Sequence, residues 1–237
     1  MKSGRQTLLL IHGLGATGRV WDGWGDLLDA TWPGRWMAPD LPGHGSAPPL
    51  SSYSFDSMTA ALAPQLPSDG LVAVGHSLGG VIALALASGR YGVQVDRAVA
   101  LGVKVAWSAD ELAKATALAE RPTAWFDSRA EAAARFLRVS GLVGLVEPDD
   151  PQVDHGLVSE GGRWRLAMDS RTFGVGAPDM ETLLRESQAE TVLARGELDP
   201  MNTEAQLNAL HDKVLTLAAL GHNAHVESPQ TVLQTLT

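Results

Sequence analysis

Gly75-His76-Ser77-Leu78-Gly79 is the stretch of this chain with the most chemical content. The apolar run Leu71-Val72-Ala73-Val74 precedes it and reads as a buried strand; Gly80 to Ala87 follows and reads as an apolar helix that stops at Gly89. Strand, G-x-S-x-G and helix together predict a sharp turn that strains the serine backbone and presents its Oγ. Gly75 and Gly79 stand where side chains would collide with the facing chain. The N-terminus of the following helix favours negative charge developing at the turn. A serine hydroxyl is a poor nucleophile at neutral pH and needs an adjacent base. Imidazole suits that task, with a buried carboxylate to fix its tautomer.

Residues of those types sit at the ends of other apolar runs. Thr191–Ala194 leads into Arg195-Gly196-Glu197-Leu198-Asp199-Pro200, which offers Asp199 and, as a neighbouring acid, Glu197; a helix N-cap is the plainer reading of Asp199. Lys213–Leu220 leads into Gly221-His222-Asn223-Ala224-His225. Thr7–Ile11 leads into His12-Gly13-Leu14-Gly15-Ala16-Thr17-Gly18, a glycine loop of the kind that binds anions through backbone N–H groups. Gly13-x-Gly15-x-x-Gly18 also matches a dinucleotide fingerprint, with Asp40 close to the expected acid, so a dinucleotide site competes; the lysine of a phosphate loop is absent. His44, in Leu41-Pro42-Gly43-His44-Gly45-Ser46, reads as a residue that fixes its loop. His222-x-x-His225 is a candidate metal pair, but no further ligand cluster has metal spacing, and no metal or cofactor is expected.

The elements that must position these residues alternate. Short apolar strands at Thr7–Ile11, Arg35–Asp40, Leu71–Val74, Asp96–Leu101, Thr191–Ala194 and Lys213–Leu220 are separated by helical stretches at 19–30, 53–66, 80–87 and 204–210. That pattern predicts a parallel sheet covered on both faces, with every candidate just beyond a strand's C-terminal end, where such sheets build sites. The period breaks between Val103 and Glu190. There the sequence predicts helices at 109–120, 128–139 (opened by Ser128-x-x-Glu131) and 179–185, with no strand. Residues 1–103 and 190–237 therefore read as a core, and 104–189 as an inserted helical lid. Trp107, Trp125, Phe126, Phe136, Trp164 and Phe173 give the lid aromatic surface. With 237 residues, 45% of them hydrophobic, the chain has one domain's worth of core. A net charge of −9 without a basic patch argues against nucleic acid and anionic membranes. There are no cysteines, hence no disulfides and no thiolate chemistry. The first strand starts too early to leave room for a signal peptide, so a cytoplasmic location is expected.

The order Ser77…Asp199…His222 with His12-Gly13 near the start resembles the α/β-hydrolase superfamily. The resemblance covers the chain apart from the lid. It implies the α/β-hydrolase fold with about six strands, the usual N-terminal hairpin being absent. It also implies an acyl enzyme on Ser77, with His222, which directly follows a glycine, as base and Asp199 as orienting acid. The backbone N–H groups of Leu78 and Leu14 would form the oxyanion hole. Position 77 is serine, which excludes the nucleophilic aspartate of some members. Carboxylic esters, thioesters or lactones are the implied substrates, small molecules in each case. Two alternatives use the same residues: C–C bond hydrolysis, and the elimination run by the menaquinone-pathway SHCHC synthase, whose tail resembles Gly221–Pro229 here. That synthase carries an arginine four residues after its serine, where this chain has Val81. A binding protein on this fold would usually have lost one of the three residues. Trp107, His76, His225 and Arg171 are the pocket candidates, within a mainly apolar wall suited to neutral acyl groups.

Overall fold

The computed structural model of the protein describes residues 6–234. Its strands are β1 (Thr7–Ile11), β2 (Arg35–Met37), β3 (Leu71–His76), β4 (Val95–Leu101), β5 (Leu157–Glu160), β6 (Arg163–Leu166), β7 (Glu190–Gly196) and β8 (Val214–Leu217). The α-helices are α1 (Gly25–Thr31), α2 (Phe55–Leu62), α3 (Leu78–Ala87), α4 (Ala109–Ala119), α5 (Arg129–Ser140), α6 (Pro151–His155), α7 (Met180–Glu186), α8 (Glu204–Asn208), α9 (Ala224–Glu227) and α10 (Pro229–Leu233). Six strands form one sheet in the order β2-β1-β3-β4-β7-β8, parallel at every pairing.

Alternation along each strand divides the core in two. Leu8, Leu10, Val72, Val74, Val99 and Leu101 point to the face covered by Trp21, Trp24, Leu28, Phe136 and Val232. Leu9, Ile11, Ala73, Ala98 and Ala100 point to the face covered by α2, α3 and α7. All ten residues of α3 are buried, which is why its sequence is apolar around the whole circumference. Fully burying each leucine contributes on the order of 2 kcal/mol. The chain leaves β1 for β2 on one side and returns to β3 on the other. The crevice at this reversal lies outside the ends of β1 and β3, where the loop after Ile11 and the serine turn meet.

Two local readings change. Residues 18–31 are helical as expected, but Gly18–Trp24 is a 3₁₀ turn that passes into α1. Asp40 explains the start: its carboxylate accepts from the Gly18 amide at 2.8 Å, from the Ser46 amide and hydroxyl at 2.8 Å each, and from His155 Nε2 at 3.0 Å. Burial raises the Asp40 pKa, and these hydrogen bonds more than offset it, bringing it down to about 2. The Gly18 amide is thus occupied, and a side chain at Gly18 would run into the carbonyl of Ala38. This closes the loop that a dinucleotide would need open.

The second change lies between β4 and β7. The expectation of a purely helical insertion is corrected: β5 and β6 form an antiparallel hairpin. Its two-residue turn is Gly161-Gly162 with φ of 58° and 79°, a conformation glycine adopts without a steric penalty. The helix read at 179–185 is α7, whose Met180 and Leu183 pack on the α3 side of the sheet. Among the described residues no helix is long and apolar enough to cross a membrane.

Asp40→Ala removes a buried acceptor of four hydrogen bonds. The expected loss is about 3 kcal/mol of unfolding free energy, read as a lower urea midpoint at unchanged slope.

Candidate active site

β3 delivers Ser77 at its C-terminal end with φ 51° and ψ −115°, one of two non-glycine residues with positive φ among those described. The glycines around it are sterically required. A Cβ on Gly75 would meet the Gly79 carbonyl, and one on Gly79 would meet the carbonyl of Ile11 at the end of β1. A Cβ on Gly13 would lie 3.4 Å from Ser77 Cβ, so the His12-Gly13 loop passes directly against the serine. Ser77 itself is half-buried and its amide donates to Leu101 at 2.8 Å. Leu78 opens α3, so its amide has no acceptor within the helix. Leu14 and Leu78 both line the small pocket at Ser77, with Val81, Val103 and Trp107.

β7 and β8 deliver the other two residues. His222 Nδ1 lies 3.1 Å from both carboxylate oxygens of Asp199, whose side chain is fully closed to solvent. The carboxylate accepts, so Nδ1 carries the proton and Nε2 is left as the basic nitrogen. Glu197 is used elsewhere: its carboxylate accepts from the Ala219 amide at 2.8 Å. Arg195, buried within β7, shapes the acid turn by donating to the carbonyls of Glu197, Asp199 and Asn202. Asn202 in turn donates to the Val103 carbonyl and so ties the acid turn to the exit of β4. Glu227 accepts from the Gly221 amide at 2.9 Å and fixes the approach to His222. Gly102, with φ 64°, fits between: a Cβ there would lie 3.3 Å from Asp199 Oδ2 and from His222 Nδ1.

The pocket candidates separate. Trp107 lines the Ser77 pocket. His76 is buried behind the serine, and its Nε2–H donates to the His222 carbonyl at 2.9 Å. His225 is buried between the rings of Trp21 and His76, with centroids at 4.5 and 4.3 Å, and does not reach the pocket. Arg171 is corrected outright: its guanidinium is bound to Asp169 and to the carbonyls of Leu50 and Ser51, away from Ser77. A carboxylate two residues before it, Asp169, was the available signal. Lys104, which sequence reasoning passed over, does line the pocket; it is paired with Glu111 at 2.5 Å and lies over the Trp107 ring. No three metal-binding side chains converge among the described residues.

His12, His44, His76 and His225 are all buried. Burial is the largest effect at each and lowers all four pKa values, those of His44 and His225 to about 3. His12 shows what neutrality permits: Nδ1–H donates to the Gly13 carbonyl while Nε2 accepts from the Leu41 amide, both at 2.8 Å.

The sequence profile of the Alpha/beta hydrolase family matches residues 8–235, and the chain belongs to that family. Lipase LipV of Mycobacterium tuberculosis is 31% identical over 223 residues, which cover 90% of this chain and 82% of LipV. A pimeloyl-[acyl-carrier protein] methyl ester esterase of Neisseria meningitidis is 46% identical over 81 residues, 33% of this chain and 24% of that protein. Among solved structures, a thioesterase domain from the curacin biosynthetic pathway superposes with a TM-score of 0.79 at 23% identity, covering 98% of this chain and 92% of that one. That likeness is one of fold.

Two predictions follow from the site's geometry. Unfolded histidines take protons below about pH 6.5, whereas His44 and His225, with pKa values lowered to about 3, stay neutral well below that, and burial shifts His12 and His76 in the same direction. The unfolded state therefore binds more protons in this window, and stability present above pH 6.5 falls as the pH drops. Urea titrations between about pH 4.5 and 6 should show unfolding free energy falling as the pH drops, by about 1.4 kcal/mol per pH unit for each buried histidine that stays neutral. A flat profile would contradict neutral burial. Gly102→Ala should press on the His222–Asp199 pair and strain the backbone, lowering kcat for any ester turned over by about tenfold or more; a wild-type kcat would show that the pair tolerates the methyl group.

Proposed function

We propose that the protein is a serine hydrolase of carboxylic esters, thioesters or lactones. Ser77 is the nucleophile, His222 the general base and Asp199 the acid that orients it. The observation that carries this reading is the His222 Nδ1 contact with a carboxylate closed off from water, next to a serine held at positive φ. In the first half-reaction Ser77 Oγ bonds to the acyl carbon while its proton passes to His222 Nε2. The oxyanion is met by the amides of Leu14 and Leu78. The C–O bond to the alcohol then breaks as the alcohol takes that proton. In the second, water loses a proton to Nε2, attacks the acyl carbon and frees the acid, and Ser77 regains its proton. Asp199 stays ionised and stabilises the imidazolium.

The names of the relatives, a lipase and a methyl ester esterase, support an ester as the bond cleaved. The lyase alternative wants a cation at position 81, where Val81 supplies apolar wall instead. Residues 104–189 are read as a cap over the core of 1–103 and 190–237.

The test is a panel of p-nitrophenyl esters of rising acyl length. Ser77→Ala should lower kcat/KM by roughly 10³-fold or more, and His222→Ala by a similar factor. Asp199→Asn should also cost orders of magnitude, because its amide favours the wrong imidazole tautomer. Glu197→Gln keeps an acceptor for Ala219 and should cost little. A greater loss in Glu197→Gln than in Asp199→Asn would reassign the acid, and hydrolysis surviving in Ser77→Ala would refute the reading.

A further inference from the structure

The insertion contains a cavity of about 350 Å³ that the hydrolytic residues do not use. α4, α5, β6 and the turn Ser170–Val175 enclose it. Its wall is largely apolar, with Phe126, Val139, Leu166 and Phe173, yet it includes two arginines, Arg121 and Arg135. No carboxylate lines it. That is unusual in a chain with 27 acidic and 18 basic residues. Four other arginines of the insertion have partners within the protein, while Arg138, on α5, is exposed without one among the described residues and lies outside the cavity. Arg129 pairs with Asp154, Arg163 with Asp127 and Arg171 with Asp169, while Arg165 lies over the Trp125 ring. Two arginines, Arg121 exposed and Arg135 half-buried, lining an apolar cavity without a carboxylate are suited to an anionic group carried on an apolar chain.

The cavity also adjoins the Ser77 pocket. The turn Ser170–Val175 contributes Phe173 to the cavity and Val175 to the pocket. Val139 of the cavity wall sits against Gly15, next to Leu14 of the pocket wall.

We propose that this cavity binds the anionic end of the substrate, so that the preferred esters carry a carboxylate or phosphate remote from the scissile bond. The inference rests on the hydrolase reading and names its substrate class. The apolar wall around Ser77 then receives the part of the acyl chain next to the ester, and the neutral-substrate expectation drawn from Val81 is confined to that wall.

Two measurements separate this inference from the hydrolase reading. The first compares kcat/KM for a neutral alkyl ester with that of an ω-carboxylate ester of equal length. Wild type should prefer the charged ester by tenfold or more. Arg121→Gln/Arg135→Gln should abolish the preference, Arg121→Lys/Arg135→Lys should keep part of it, and Arg185→Gln, on α7, should retain it in full. The second uses calorimetry on Ser77→Ala with octanoate, octyl phosphate and octanol. Octanoate or octyl phosphate should bind at least tenfold more tightly than octanol, the tighter of the two identifying the head group, and the double glutamine variant should lose that margin. Equal binding of octanol, or anion binding undiminished in the double variant, would show the arginines to be solvated surface groups and overturn the proposal. Ester hydrolysis without charge preference would overturn it while leaving the hydrolase reading intact. Arginine-dependent anion binding without hydrolysis of any ester would refute the hydrolase reading and, with it, the assignment of the bound anion as the end of an ester substrate.

Discussion

The site depends on how closely the backbone passes itself at the ends of β1, β3 and β4. Gly75 and Gly79 allow it, because a Cβ at either would meet neighbouring backbone, and Gly13 leaves room for the His76 ring and the Ser77 side chain. Ser77 is held within that contact at positive φ, at a cost on the order of 1–3 kcal/mol. The surrounding structure offsets this strain. The Ser77 amide is bonded to Leu101, and the helix that continues from it is buried along its entire length. The turn cannot relax without pulling α3 out of the core, so the serine stays in the pocket that Leu14 and Leu78 also line.

The loops that carry Asp199 and His222 are secured differently, by hydrogen bonds between them. The amides of Glu197 and Leu198 donate to the carbonyls of Leu217 and Leu220, which joins the loop after β7 to the loop after β8. Arg195 bonds to Asn202 and to the Asp199 carbonyl, Asn202 bonds to the Val103 carbonyl, and Glu227 accepts from the Gly221 amide. Arg195 is a buried charge whose guanidinium lies among carbonyls, so its removal would leave several acceptors unsatisfied at once. His76 bridges the two assemblies, since it belongs to the serine turn and bonds to the backbone of His222.

What could be read in the sequence was local. The strand runs, the glycines of the serine turn and the order of Ser77, Asp199 and His222 are short-range patterns, and the six-stranded parallel sheet follows from their alternation. The β5–β6 hairpin was not legible: its strands are only four residues each, and Gly161-Gly162 reads as a loop between helices. Other features depend on distant contacts. Nothing near Arg121 and Arg135 in the sequence distinguishes them from Arg163 or Arg171; only the packing of α4, α5 and β6 gives them a shared cavity. Lys104 and Gly102 acquire meaning in the same way, from Trp107 and from the His222–Asp199 pair beside them.

The central claim is that Ser77 is a serine made nucleophilic by His222. The most direct measurement is intact-protein mass spectrometry after treatment with a serine-directed fluorophosphonate, followed by mapping of the modified peptide. One adduct per chain, located on Ser77 and greatly reduced in His222→Ala, is the predicted result. An unmodified protein, an adduct on another residue, or labelling of Ser77 that is indifferent to His222 would contradict it.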